Sequence, residues 1–195
     1  MGLEYFMHQN NIEVPVSYFG IDINDKWSDI HAAIKMYTDA NNIKLKIPFY
    51  KDVFLVFKER GIVETNIIVI SYLISYLYNS GQIEQIDELV QLVVDKIIIK
   101  KGAGNKLLFV INDVNSNKRG RNYFKYFENA IRRSGLKITG YNFRFFDSGT
   151  LNEWQEIGEP YNIKYSVFRI PPEIKNRYHA REKVQSSIQL LLEVE

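Results

Sequence analysis

Several residues of this 195-residue chain have types and spacing that could carry chemistry. Asp22 closes an apolar run that begins at Val14. An acid at the carboxyl end of a buried strand stands at the edge where open α/β sheets bind ligands. With Asn24 and Asp25 beside it, the same carboxylate could instead serve a turn or cap a helix. Asp52 carries the same ambiguity, as a ligand-facing acid or as the cap of the helix that starts next to it. Ser71 and Tyr72 end the apolar run that starts at Asn66, so two hydroxyls, one on an aromatic ring, reach a strand end. The structural alternative is that Ser71 caps the next segment and Tyr72 packs. Asn112, Asp113, Asn115 and Asn117 follow another apolar run and could bind a substrate or a metal. One carboxylate among amides lacks the charge density of a calcium loop, and an Asn-rich turn explains the stretch equally well.

A second group is basic. Lys118, Arg119, Arg121, Lys125, Arg132, Arg133 and Lys137 are opposed only by Glu128, and four of the nine arginines fall between 119 and 133. Tyr123, Phe124, Tyr126 and Phe127 interleave with them, a mixture suited to phosphate contact and base stacking. A solvated helix face over a buried stripe of Phe124, Phe127 and Ile131 would give the same pattern. The three histidines are scattered with no ligand partner three or four residues away, and no hydrolase triad, P-loop or metal motif occurs. No metal site is expected. With no cysteine, zinc ribbons, iron–sulfur clusters, disulfide frameworks and thiol nucleophiles are excluded.

Composition is that of a folded domain: 46% hydrophobic, 14% aromatic, and a formal net charge of +2. The longest apolar stretch, from Ile67 to Leu77, is broken by Ser71, Tyr72, Ser75 and Tyr76 and is too short to span a bilayer, so no membrane association is expected. The amino terminus has neither a basic start nor a sustained apolar run. A cytoplasmic location is expected.

The elements that must position these residues alternate along the chain. Val14 to Asp22 reads as a buried strand. Asp25 or Ser28 caps a helix through Tyr37, with Ile30, Ala33, Ile34 and Tyr37 on its buried face. Ile43 to Ile47 alternates as a half-buried strand stopped by Pro48, and Asp52 to Arg60 forms a short helix closed by Gly61. Asn66 to Ser71 is apolar without alternation, which predicts a parallel strand covered on both faces. Ile83 to Ile99 is a long amphipathic helix, Lys106 to Ile111 a second apolar strand, and Tyr123 to Ser134 a helix ending at Gly135. Lys137 to Phe146 and Asn162 to Ile170 are long strands joined by a loop, expected to pair antiparallel. His179 to Leu192 is expected to be a terminal helix. No internal repeat is evident. The predicted fold is α/β, a three-layer sandwich on a mostly parallel sheet with a C-terminal antiparallel pair. It comprises an α/β domain over 1–172 and a helical tail over 173–195.

This order resembles the later part of class I (Rossmann-like) S-adenosylmethionine-dependent methyltransferases, whose seven strands end in an antiparallel pair. Phe19-Gly20-Ile21-Asp22 resembles the family's second strand, which implies that Asp22 holds the cofactor ribose. Asp52, after the third strand, would approach the adenine. Asn66 to Tyr72 resembles the fourth strand, whose end faces the methyl group, so Ser71 and Tyr72 would be the catalytic pair. Arg133 to Lys137 resembles the lead-in to the sixth strand. The chain departs from the family in two places. Ser71-Tyr72-Leu73-Ile74 stands where base-modifying members carry Asn/Asp-Pro-Pro-aromatic. The first strand and its glycine-rich cofactor turn are not found. Gly2 to Met7 resembles the helix that should follow that turn, so the chain is expected to be truncated or degenerate.

The expected function is methyl transfer from S-adenosylmethionine when the domain is complete, with little activity as an isolated chain. The alternative is a non-catalytic Rossmann-like interaction module, with nucleic acid contacting the 118–137 face through Arg119, Arg121, Arg132 and Arg133. The unpaired neighbours of a missing strand also predict a homo- or hetero-oligomer that covers an exposed sheet edge.

Overall fold

The computed structural model describes residues 2–46, 52–59, 65–98, 105–114, 120–147, 163–167, 172, 176–177 and 187–195. The chain divides into two compact units, Met1–Gly61 and Ile62–Glu195.

The first unit runs α1 (Gly2–Gln9), β1 (Ser17–Phe19), α2 (Ser28–Ala40), β2 (Lys44–Lys46) and α3 (Val53–Glu59), with β1 and β2 paired in parallel. Its two longer helices end on the same three residues. Asn10-Asn11-Ile12 and Asn41-Asn42-Ile43 both place the second Asn in the left-handed region, at φ 53° and 55°. The Ile12 and Ile43 amides then reach back to the Met7 and Thr38 carbonyls, each at 2.9 Å. Asn10 and Asn41 add side-chain bonds to the Phe6 and Tyr37 carbonyls, each 2.8 Å long. Asn tolerates this conformation better than other L-residues, and the turn satisfies carbonyls that a helix end leaves open. The repeat is local, three residues long, and invisible to a search for longer internal similarity.

Three expectations for this unit need correction. The buried strand expected over Val14 to Asp22 is Ser17–Phe19 alone, with Val14 60% exposed and Asp22 three residues past the strand's end. The predicted buried face of α2 is not buried: Ile30, Ala33 and Tyr37 are exposed, Ile34 is half-buried, and Thr38 is the residue sealed from solvent. Strands of three residues make too small a sheet to cover a helix face, and among the described residues Phe54 and Val56 are the buried apolar side chains here. Neither Asp25 nor Ser28 caps α2. A 3₁₀ turn over Asp25–Trp27 leads in, Trp27 occupies the cap position, and no side chain bonds the first turn. Pro48 and Gly61 lie outside the described residues.

The second unit holds β3 (Ile67–Ser71), α4 (Leu73–Asn79), α5 (Ile86–Val93), β4 (Leu107–Val114), α6 (Phe124–Arg133), β5 (Ile138–Asp147), β6 (Ile163–Val167) and β7 (Ser187–Val194). The α/β class is as predicted. The sheet order is β3-β4-β7-β5-β6, with β3 parallel to β4, β5 parallel to β6, and β7 antiparallel to both β4 and β5. The reversed strand expected near the end of the chain is therefore present, but it is β7. The stretches read as an antiparallel pair, β5 and β6, run parallel. The intervening 148–162 is long enough for the crossover of about a dozen residues that parallel neighbours require.

The terminal helix expected over His179 to Leu192 is corrected at its described end, since Ser187–Val194 is a strand; 173–175 and 178–186 lie outside the described residues. Ile188, Leu190, Leu192 and Val194 recur at period two and are all fully buried. That match to a two-sided slot between β4 and β5 outweighs the helix propensity of Leu, Gln and Glu, worth only tenths of a kcal/mol per residue. The helix predicted over Ile83 to Ile99 is a 3₁₀ turn at Ile83–Gln85, then α5, then a π turn at Val94–Ile98; its expected apolar face is buried. α4, not among the expected elements, follows β3 directly.

Most of the core packs on one face of this sheet, with Val110 of β4 buried on the other. Ile70, Ile111, Leu190 and Phe143 form one cross-strand row, and Ile68, Phe109 and Leu192 form another. α5 and α6 pack against each other over this face, with Phe127 5.4 Å from Phe109 and Phe124 6.2 Å from Phe143 between ring centres. β3 is not covered on both faces as predicted. Ile67 and Val69, on its other side, are 43% and 59% exposed. β3 is an edge strand of the described sheet, so its outer face lacks the neighbours that a central strand has.

Two measurements check this architecture. Leu190→Ala should cost about 2–5 kcal/mol in urea unfolding, because it removes a core side chain shared by β4 and β5; no loss would mean β7 is not in the sheet. Asn42→Ala should cost about 1–2 kcal/mol and Asn42→Gly little, the signature of a left-handed helix stop.

Candidate functional site

The carboxyl ends of β3 and β4 carry the most constrained chemistry in the larger unit. Asn112 and Asp113, predicted to open a loop, instead belong to β4, which extends to Val114. Alternation along the strand sends their side chains to opposite faces. Asp113 goes to the core side and is fully buried. The Ile74 and Ser75 amides at the start of α4 donate to its Oδ2 at 3.1 and 3.2 Å, and the Val114 amide donates to Oδ1 at 2.7 Å. Asp113 thus caps α4 from another strand. Burial pushes its carboxyl above the ordinary carboxylate value, against the downward pull of hydrogen bonds from Ser75, Val114 and Ile74.

Gly120 completes the enclosure. A Cβ there would lie 2.5 Å from the Val114 carbonyl oxygen and 3.1 Å from Asp113 Oδ1, so only glycine lets the chain return this closely over the acid.

Tyr72 forms the elbow between β3 and α4 at φ 56° and ψ 16°, the left-handed region. For an aromatic residue this conformation costs about 1–2 kcal/mol. It is held by its amide, which donates to the Asn112 carbonyl at 2.8 Å, and by its carbonyl, which accepts from the Tyr76 amide and the Ser75 hydroxyl. The side chain stays 51% exposed. Strain at an exposed residue on the ligand edge of a sheet marks a candidate functional position. Beside it, Gln189 Nε2 donates to Asn112 Oδ1 at 2.7 Å, and Asn112 Nδ2 donates to Ser71 Oγ at 3.4 Å. The structure therefore brings Ser71, Tyr72, Asn112 and Gln189 together. Gln189 was missed because its stretch was read as helix; the period-two pattern of Ile188, Leu190, Leu192 and Val194 was the available signal.

Asp22 and Asp52 lie in the smaller unit, both held locally. Asp22 Oδ1 accepts from the Asn24 amide at 2.8 Å, a turn contact, while Oδ2 lies 3.7 Å from His31 Nε2. Asp52 Oδ1 accepts from the Phe54 and Leu55 amides at 2.7 and 3.3 Å, which caps α3. In each case one carboxylate oxygen does the structural work. The described part of the basic cluster divides between one buried residue and several exposed ones, two of which pair with a single acid. Arg121 is buried, and Lys125 and Arg132 both bond Glu128, each at 3.1 Å, whose own side chain is buried. Arg133 is exposed, as is Tyr126, while Phe124 and Phe127 are core residues. Lys118, Arg119 and the Asn115–Asn117 stretch lie outside the described residues.

Among the described residues no group of His, Asp or Glu could hold a metal, and no helix is long and apolar enough to cross a membrane.

No protein-family model and no curated relative matches the sequence. Among solved structures, the chain is similar to a provisionally assigned SAM-dependent methyltransferase from Streptococcus mutans, at 11% identity and TM-score 0.47 over 97% of this chain and 42% of that one. It is also similar to a SAM-dependent methyltransferase from Archaeoglobus fulgidus, at 10% identity and TM-score 0.44 over 97% of this chain and 92% of that one. A third similar structure is the StiE O-MT segment 942–1257, at 11% identity and TM-score 0.45 over 100% of this chain and 63% of that one. The chain thus spans about two fifths of the length of the Streptococcus protein.

Two variants probe this edge. Tyr72→Asn should stabilise the fold by about 0.5–1 kcal/mol, because Asn accepts the left-handed region and little packing is lost; a destabilised variant would mean the ring is a packing element. Asp113 holds its proton to higher pH folded than unfolded, so its contribution is full below the unfolded value and is lost as pH rises through the folded one. Urea midpoints of Asp113→Asn relative to the parent should therefore improve as pH rises from about 4 to 7. A difference that worsens with pH would mean the hydrogen bonds outweigh burial.

Proposed function

We propose that this chain contributes to a methyltransferase that uses S-adenosylmethionine, with Ser71 and Tyr72 on the methyl-acceptor side and Asp22 on the cofactor side. The observation that carries the reading is Tyr72, strained and exposed at the carboxyl end of the very strand that resembles the family's methyl-facing strand. The reversed strand β7, paired antiparallel to β5, supports it, since the resemblance implies an antiparallel pair near the end of the chain.

The residues present suit part of the cofactor. Asp22 is half-exposed and keeps Oδ2 lone pairs beyond its turn contact, enough to accept the two hydroxyls of a ribose. Asp52 has one oxygen not engaged by the α3 amides, suited to an exocyclic amine such as that of adenine. Bound cofactor would supply an electrophilic methyl group. The chain's own task is then to hold the acceptor in line, which is where most of the rate of such a transfer arises. Ser71 would fix the acceptor through its hydroxyl, and Tyr72 would offer a ring face for stacking. A cytoplasmic location is part of this proposal.

A calorimetric titration with S-adenosylhomocysteine tests the proposal. Saturable binding is expected, weakened about tenfold or more by Asp22→Ala, which removes charge-assisted hydrogen bonds of about 1.5–3 kcal/mol. A folded chain that shows no binding, or an Asp22→Ala variant with unchanged affinity, would overturn the assignment.

A further inference from the structure

α6 contains one acid, Glu128, and the fold turns it inward: its side chain is 7% exposed. Both of its oxygens are taken by cations of the same helix. Lys125 Nζ lies 3.1 Å from Oε2, one turn before, and Arg132 Nε lies 3.1 Å from Oε1, one turn after. Burying a carboxylate costs desolvation that such pairs at best roughly offset, so the triad adds little to stability. What it does fix is the place of two cations whose side chains stay about half exposed. Arg132 meets Glu128 through Nε, which leaves the Nη hydrogens of its guanidinium for a second anionic partner.

The outer side of the helix is built to match. Tyr126, Asn129 and Arg133 form one exposed stripe at i, i+3 and i+7, about 10 Å long. The ring of Tyr126 is 41% exposed, and that of Tyr123 stands beside it at 5.4 Å between centres, inclined by 45°. Phe124 and Phe127 are core residues, so α6 sends its phenylalanines inward and keeps a tyrosine outside. With Glu128 withdrawn, this side presents Lys125, Arg132 and Arg133 and no exposed acid of the helix.

We propose that this face of α6 binds single-stranded nucleic acid, with a base stacked on Tyr126 and neighbouring phosphates held by Lys125, Arg132 and Arg133. Glu128 is the positioning residue that sets the first two cations. Charge selects an anionic partner, and the exposed ring selects among anions. A base offers a face to stack, an acidic peptide does not, and a duplex covers that face with neighbouring bases. Arg121, expected among the contacts, is buried and takes no part. This inference and the methyl-transfer reading do not rest on one another.

Fluorescence anisotropy of the full chain with a labelled oligothymidylate of about twelve nucleotides tests it. Saturable binding is expected, with log affinity falling against log salt at a slope of about −2, as three neutralised phosphates on a single strand require. A duplex and an oligoglutamate of the same length should each bind at least about fivefold more weakly. Tyr126→Leu should weaken the strand at least about fivefold with the slope unchanged, and Arg133→Gln should reduce the slope by about 0.7. Glu128→Gln separates positioning from bulk charge. It makes the protein more positive, so a merely basic surface would bind more tightly, whereas loss of the anchor should weaken binding about threefold or more. Circular dichroism checks that each variant is folded, and if Glu128→Gln unfolds, the exposed Tyr126 and Arg133 variants decide. No saturable binding, equal affinity for the duplex or the oligoglutamate, unchanged affinity in Tyr126→Leu, an unchanged slope in Arg133→Gln, or a folded Glu128→Gln variant that binds as well as the parent or better would each overturn the inference.

Discussion

The larger unit depends on β7. Without it, β4 and β5 have no hydrogen-bonding partner between them, and the sheet separates into two parallel pairs, β3 with β4 and β5 with β6. Its inward side chains, Ile188, Leu190, Leu192 and Val194, are completely buried. At about 1.5–3 kcal/mol each, they contribute roughly 6–12 kcal/mol of burial free energy, comparable with the net stability of an ordinary domain. The backbone of Glu195 exchanges two hydrogen bonds with Lys137, at 2.8 and 2.9 Å, which extends the β5–β7 pairing by one more residue. The pairing spans a large sequence separation, so its formation is entropically late and nothing local announces it.

That same strand supplies the candidate site. Gln189 lies one residue from the buried Ile188 and Leu190 and faces the other way, so its reach to Asn112 follows from the register that the core enforces. A slip of one residue would turn Gln189 into the core and bring Leu190 to the ligand edge. Packing and site geometry are thus a single constraint here.

The edge itself is built at some cost to stability. Asp113 is a buried acid that serves as a helix cap, and its amide donors offset only part of the burial that raises its pKa. Tyr72 stays in a left-handed conformation because the Asn112 carbonyl and the first turn of α4 hold both ends of its backbone. Gly120 closes over Asp113 where any side chain would collide with the Val114 carbonyl. Three unfavourable choices meeting at one strand end are what a site under functional demand looks like.

The strongest periodic signals in the sequence corresponded to real elements. Those for β3, β4, α5 and α6 stand where apolar spacing put them, and the capping option for Asp52 is the contact it makes, because both are decided within a few residues. Ser71 and Tyr72 could be placed at a strand end for the same reason. Which strands pair, and in what direction, could not be read locally. β5 and β6 looked like hairpin partners until β7 took the place between β4 and β5, and Ser187–Val194 satisfied both a helical and a strand pattern until a slot buried on one face selected period two. The exposed side of α2 and the outer face of β3 likewise depended on what lies across from them, a property of no single segment. The sequence by itself determined the types of β3, β4, α5 and α6 and the placing of Ser71 and Tyr72 at a strand end. The tertiary structure decided the strand order, the burial of Asp113, the strained elbow at Tyr72 and the alliance of Asn112 with Gln189, because each needs two segments far apart in the chain to meet in one register.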